Sequence, residues 1–254
     1  MIDEAQMIEA ARNSLFLPTL PGRYDALDIP GIQGRYGYGV QGGFVNRVGA
    51  ANLAAEQADA TIQAVINHFD TLKQTFAWFV TCTDTPGDLE ERLERAGFER
   101  ALDFSGMVLP EIHDGFPMHP RVTVRPARTD ERQHVSRIYQ AGLAPDKAAA
   151  DLFADMMETP TMTHYLAYLD GVDEPIGATA SFYIEDHRTV VLEASLILEP
   201  YRGNGFYKSL VAQRLHDAYR DGMRVAVVQA FVKTSAPKLR KLGFVEKCAM
   251  RTWR

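Results

Sequence analysis

Tyr201-Arg202-Gly203-Asn204-Gly205-Phe206-Tyr207 joins a β-branched, apolar run at residues 189–198 to an amphipathic pattern that continues to about 221. Leu210, Val211, Leu215 and Ala218 recur at helical spacing, with Arg214, Asp217 and Arg220 between them, so the glycines open a helix. The alternative, a tight Asn-Gly hairpin, would need a second strand after Gly205. A strand that turns through glycines into a helix aims free backbone N–H groups and the positive end of the helix dipole at one point, which suits a pyrophosphate. A Walker loop is excluded because no Gly-Lys-Ser/Thr follows, and a dinucleotide fingerprint needs a different glycine spacing and an early position in its unit.

What remains resembles the GNAT acetyltransferases, whose Arg/Gln-x-x-Gly-x-Gly/Ala cradles the pyrophosphate of acetyl-coenzyme A. Arg202, Gly205 and the position of Tyr207 fill that pattern, with Gly203 and Asn204 between; Tyr207 departs from it, standing where the family usually has Gly or Ala. The likeness continues through Arg224-Val225-Ala226-Val227-Val228-Gln229-Ala230, a helix near 236–241, and Leu242-Gly243-Phe244. Many relatives read Tyr-x-x-Leu-Gly-Phe there, and that phenol protonates the departing thiolate; here the position is Leu239, which has no proton to give. Upstream, Arg121-Val122-Thr123-Val124-Arg125-Pro126-Ala127 resembles the family's first strand. Helical stretches at 130–142 and 146–158 and strands at 163–170, 176–184 and 189–198 follow.

The resemblance covers residues 121–254. It implies an α/β (α+β) fold, a mixed and mostly antiparallel sheet flanked by helices, and acetyl-CoA as co-substrate. It places Ile197, Leu198, Arg202, Gly203, Asn204, Gly205, Phe206, Tyr207 and Lys208 on the coenzyme, and Thr234 and Ser235 on its pantetheine arm. In the implied chemistry a neutral amine attacks the thioester carbonyl and a strand N–H stabilises the oxyanion. That donor is Leu198, or Ile197 if the loop is one residue longer. Glu193 interrupts an apolar strand just before the loop and is the candidate base, with an outward-facing surface Glu as the alternative, because a one-residue change of register reverses the face. Leu239 leaves a second function open, a catalytically silent acyl-CoA-binding or regulatory protein.

Residues 110–120 hold three prolines and a glycine and read as a linker between a first half, 1–110, and the GNAT-like half, 121–254. Phe76-Ala77-Trp78-Phe79-Val80-Thr81, the Pro-bearing helical run 86–95 and Ala96-Gly97-Phe98 repeat the later order of strand, helix and Gly-Phe. The first half is therefore read as a partial, degenerate GNAT-like domain. Its helix at 53–72 follows the strand-like Phe44-Val45-Asn46-Arg47-Val48 without an Arg-x-x-Gly-x-Gly, so one coenzyme per chain is expected. Gly37-Tyr38-Gly39-Val40-Gln41-Gly42 spells G-x-G-x-x-G, but a strand-like stretch follows it where a dinucleotide site needs a helix. Trp78 and Phe79 read as core. The first half is left to shape the acceptor pocket or to make a homodimer contact. A fragment from about Met118 onward should keep measurable coenzyme affinity and lose acceptor selectivity, provided it stays soluble once the apolar face against the first half is exposed.

The chain of 254 residues, 46% hydrophobic, is long enough for two domains. Residues 201–254 hold twelve Lys and Arg against three Asp and Glu, a surplus of nine positive charges. With a net charge of −6 overall, the preceding 200 residues carry −15. The basic block coincides with the proposed coenzyme segment and would steer a polyanion, while the acidic remainder leans toward a cationic small-molecule or peptide amine. The other reading makes Arg214, Arg220, Lys238 and Lys241 a solvated helix face. Nucleic acid is not an expected partner of an acidic chain without a basic, aromatic-interleaved stripe. No basic leader or membrane-length apolar run is present, so no membrane partner is expected either. The seven histidines form no metal-binding spacing, and no metal is expected. Cys82 and Cys248 are too few for a disulfide framework, which suggests a reducing cytoplasm.

Overall fold

The computed structural model describes residues 4–16, 18–160, 162–184 and 188–254. The first half contributes helix α1 (Glu4–Asn13), strands β1 (Tyr24–Ala26), β2 (Gln33–Gly37) and β3 (Arg47–Gly49), helix α2 (Ala55–Leu72), β4 (Ala77–Thr81), α3 (Leu89–Arg95) and β5 (Arg100–Leu109). The second contributes β6 (Val122–Pro126), α4 (Arg132–Gln140), α5 (Lys147–Asp155), β7 (Met162–Leu169), β8 (Gly177–Ile184), β9 (Thr189–Ile197), α6 (Phe206–Arg220), β10 (Val225–Phe231), α7 (Ala236–Arg240) and β11 (Val245–Trp253). These elements agree with the mixed, mostly antiparallel sheet flanked by helices that the sequence implies.

The strands form one sheet in the order β1-β2-β3-β4-β11-β5-β10-β9-β8-β7-β6. Central strands such as β8 and β10 are near-continuous runs of apolar residues because both of their faces are covered. The four core clusters lie on its two faces, the largest joining α1, α4 and α5 to the strands. The two halves share a pattern: β2–β3–α2–β4–α3–β5 follows the same order as β8–β9–α6–β10–α7–β11. In each, the strands before the longer helix are antiparallel and the strand after it is parallel. The repeat around the Gly-Phe pairs extends to the backbone. Gly97 (φ 95°) and Gly243 (φ 91°) both turn left-handed past the helix end. The following N–H of Phe98 reaches the Leu93 carbonyl at 3.0 Å, and that of Phe244 reaches Leu239 at 3.2 Å.

The halves also exchange their last strands. β5 lies between β11 and β10, pairing with β10 from Phe104↔Phe231 to Leu109↔Ala226, while β11 lies between β5 and β4. The segment at 111–120 is packed down as well. Ile112 and Phe116 are buried beneath α6, and the Ile112 N–H donates to the Arg224 carbonyl at 2.7 Å. A cut near Met118 would therefore remove β5, a central strand, from the sheet of the second half.

The cysteines are a correction. Cys82, just past β4, and Cys248, on β11, are joined as a disulfide across 166 residues with Cα atoms 5.6 Å apart. The strand exchange brings together two positions that no local spacing connects, so cysteine count gives no support here to a reducing compartment. No helix among the described residues is long and apolar enough to cross a membrane.

Candidate active site

β9 and β10 pair in parallel only from Thr189↔Val225 to Val191↔Val227 and then part. The cause lies in β9. Its register against β8 jumps between Ala178↔Leu196 and Ala180↔Glu193, and Ala194 sits in the bulge with φ 48°. A non-glycine residue there is strained by about 1–2 kcal/mol. A cavity of 1280 Å³ occupies the gap, lined along β9 from Leu192 to Ile197. The Leu198 N–H donates to the Ile176 carbonyl at 2.9 Å and is not available as an oxyanion donor. Amide directions alternate along a strand, so the N–H of Ile197 faces the opened side. Of the two sequence candidates, Ile197 is the one whose amide faces the gap. Leu198 does not line the cavity.

Past β9 the chain enters the glycine turn. Gly203 (φ 84°) and Gly205 (φ 82°) are left-handed, and Gly205 caps α6. A Cβ at either position would meet no atom within 4 Å, so the space over the turn is open. The Arg202 Nε donates to the Ile197 carbonyl at 2.8 Å, tying the turn to the strand end. Asn204 is exposed and outside the cavity; its Nδ2 donates to the carbonyls of Tyr201 and Arg202 at 3.3 and 3.2 Å and closes the turn. Arg202, Gly203, Gly205, Phe206, Tyr207, Lys208, and from the far wall Thr234 and Ser235, all line the cavity. The Lys208 N–H turns back to the Gly205 carbonyl at 3.1 Å, and the two amides before it, of Phe206 and Tyr207, stand at the helix start beside this space.

Comparison with known proteins agrees with this arrangement. The model of the acetyltransferase (GNAT) family matches residues 130–247. The second half carries a GNAT acetyltransferase domain. No curated protein matches the chain by sequence. Among solved structures, a GCN5-related N-acetyltransferase from Kribbella flavida superposes with a TM-score of 0.71 at 18% identity, over 100% of this chain and 95% of its own. A tandem GNAT protein from the clavulanic acid biosynthesis pathway, in a structure without AcCoA, gives 0.62 at 13% identity over 92% and 84%. A relative from Sphaerobacter thermophilus gives 0.61 at 13% identity over 91% and 75%. At these identities the likeness is one of fold, and it extends over the first half as well as the GNAT domain.

Within the GNAT domain Glu193 is buried, which removes the outward-facing reading. Its Oε1 lies 3.1 Å from Arg47 Nη1 and 3.9 Å from Arg35 Nη2, both from the first half. A carboxylate held between two guanidinium groups of the first half ties the halves together, and the same Glu193 also lines the cavity. Leu239 is fully buried under Phe244 and does not line the cavity. Leu93 takes the equivalent place in the first half, so this leucine is a packing residue of the repeated helix end.

The sequence reading missed two features. Arg214, which one of the two sequence readings put on a solvated face, is 1% exposed. Its Nη1 donates to the Ala180 carbonyl, Nη2 to Ser195 Oγ and Nε to the Leu210 carbonyl, each at 2.9 Å, and burial draws its pKa down to about 10. Helical spacing could have found it, because Arg214 falls between Val211 and Leu215 on the inward arc. The other is an aromatic wall. Phe44 and Phe79 of the first half line the cavity with Phe104 of β5 and Phe231 of β10; Phe104 and Phe231 have ring centroids 4.4 Å apart. Phe79 thus reaches the site, whereas Trp78, one residue away on the opposite face, is core as expected.

Proposed function

We propose that the protein is an N-acetyltransferase that moves the acetyl group of acetyl-CoA to a primary amine with an apolar body. The observation that carries this reading is the parting of β9 from β10 directly before the left-handed Gly203 and Gly205 at the start of α6. Arg202, Gly203, Gly205, Phe206, Tyr207 and Lys208 take the pyrophosphate side, Thr234 and Ser235 the pantetheine arm, and Asn204 shapes the turn. The Ile197 N–H donates a hydrogen bond to the thioester oxygen as negative charge develops on it. The amine approaches through the part of the cavity walled by Phe44, Phe79, Phe104 and Phe231, so the first half shapes the acceptor pocket. Sequence charge leaned toward a cationic acceptor. The acids lining the cavity are Glu193, which is ion-paired, and Asp70, so the wall favours an apolar or aromatic body over a polycation.

Release of free thiol from acetyl-CoA, followed over a panel of arylalkyl, alkyl and polyamine acceptors, tests this. Arylalkyl and alkyl amines should be the better substrates. Tight acetyl-CoA binding with no amine raising thiol release above the background would overturn it.

A further inference from the structure

Breaking the thioester puts a thiolate into the gap between β9 and β10, and a thiolate leaves faster when a proton is delivered to it. Leu239 is buried away from the cavity and has none. The ring of Tyr207 lies on the cavity lining between α6 and α7. It packs against the core cluster that contains Leu239, and Lys238 Nζ stands 5.3 Å from its centroid. Ser195, on β9 two residues before Ile197, lines the same cavity. Its Oγ accepts from Arg214 at 2.9 Å and shares a hydrogen bond with Thr179 Oγ1 at 2.9 Å, which holds this polar group in place beside the gap. We propose that Tyr207 is the general acid of this GNAT domain, a phenol supplied from α6 to the sulfur of coenzyme A.

The role rests on the acetyltransferase reading above. As the amine nitrogen forms the new C–N bond and sheds one proton to solvent, the C–S electron pair goes to sulfur. The sulfur takes the Tyr207 proton, and the phenolate regains a proton from solvent. Burial raises the pKa of Tyr207, with Arg214 and Ser195 pulling the other way, so the group carries its proton at neutral pH. The bulk of Tyr207 at a position where relatives have Gly or Ala and the leucine at 239 then become one change: the phenol has moved from one wall of the gap to the other.

Tyr207→Phe keeps the ring and removes the proton. It should lower kcat by roughly 10²-fold or more, within the usual range for a lost general acid. Affinity for acetyl-CoA should stay within about threefold, and the alkaline fall of the kcat–pH profile should disappear. Independently of turnover, the unsubstituted protein should bind coenzyme A more tightly than desulfo-coenzyme A, and Tyr207→Phe should lose that difference. If Tyr207→Phe keeps kcat and the alkaline limb while the unsubstituted protein turns over, the assignment falls and the acetyltransferase reading stands. If Tyr207→Ala binds acetyl-CoA more tightly with kcat unchanged, the ring only narrows the gap and the assignment again falls. Absence of turnover in the unsubstituted protein overturns both.

Discussion

The two strand-to-helix connections of this molecule, β3 to α2 and β9 to α6, occupy matching places in the repeated halves and are built to opposite ends. In the first, the Asn52 N–H donates to the Gly31 carbonyl at 2.7 Å and the Leu53 N–H to the Thr85 side chain at 3.1 Å. The Ala51 carbonyl accepts from both the Thr85 N–H and Arg12. β3 stays paired with β4 through Gly49↔Phe79, and Asn52 bridges to Thr85 beyond it. In the second, the strands separate after three pairs and two left-handed glycines face open space. The same topology therefore yields a closed joint or a ligand cradle. What decides is whether the connection's amides are used within the protein, and the expectation of one coenzyme per chain rests on that difference.

The largest expected effect comes from separating the halves. A fragment of residues 118–254 loses β5, leaving the inner edges of β10 and β11 without a partner and uncovering the aromatic wall. It should be unfolded or aggregated, with no dispersed NMR spectrum and no coenzyme affinity. A soluble, folded fragment that binds acetyl-CoA would show that β11 can pair directly with β10, and the strand exchange would lose its importance.

Much of this was legible in sequence because it is local. The glycine turn, the helix after it and nearly every element of the GNAT domain announce themselves by periodicity and turn chemistry within about twenty residues. The repeat showed in Gly97-Phe98 and Gly243-Phe244 for the same reason: a left-handed glycine past a helix end is a local requirement. The exchange of β5 and β11 left no local trace, since each strand pairs as well with one neighbour as with another until the whole sheet is specified. The Cys82–Cys248 bridge, the Arg47–Glu193 pair and the aromatic wall all depend on that exchange, and so were out of reach. Leu198 and Ile197 could not be told apart because the bulge at Ala194 shifts amide direction by one residue.

Gly205→Asp should weaken acetyl-CoA binding at least 100-fold by calorimetry while the fold survives. The added side chain meets no protein atom, and Asp is among the residues that tolerate a left-handed backbone, at a cost of about 1 kcal/mol. The negative charge and the new atoms stand where a pyrophosphate must approach. The matching change in the closed connection, Asn52→Asp, should leave coenzyme affinity unchanged. Equal effects at the two positions would break the distinction between cradle and closed joint.

Glu193→Gln bears on how the halves are held together. The substitution keeps shape but takes the Glu193 carboxylate away from the buried Arg47, 3.1 Å off, and from Arg35 at 3.9 Å. Breaking one member of a buried pair costs about 3–5 kcal/mol. For a chain of this size that corresponds to a fall in Tm of roughly 10 °C. Replacing Arg47 by Met in the same chain should recover part of the loss, because the unpaired charge goes with it and the apolar stem can still pack against Phe44 and Phe79. If Glu193 were the base instead, Tm would hold while kcat fell by roughly 10²- to 10⁴-fold, and Met at position 47 would restore nothing. The two readings move different observables, so one thermal melt and one rate measurement on the same pair of variants separate a residue that joins the halves from one that serves the GNAT domain alone.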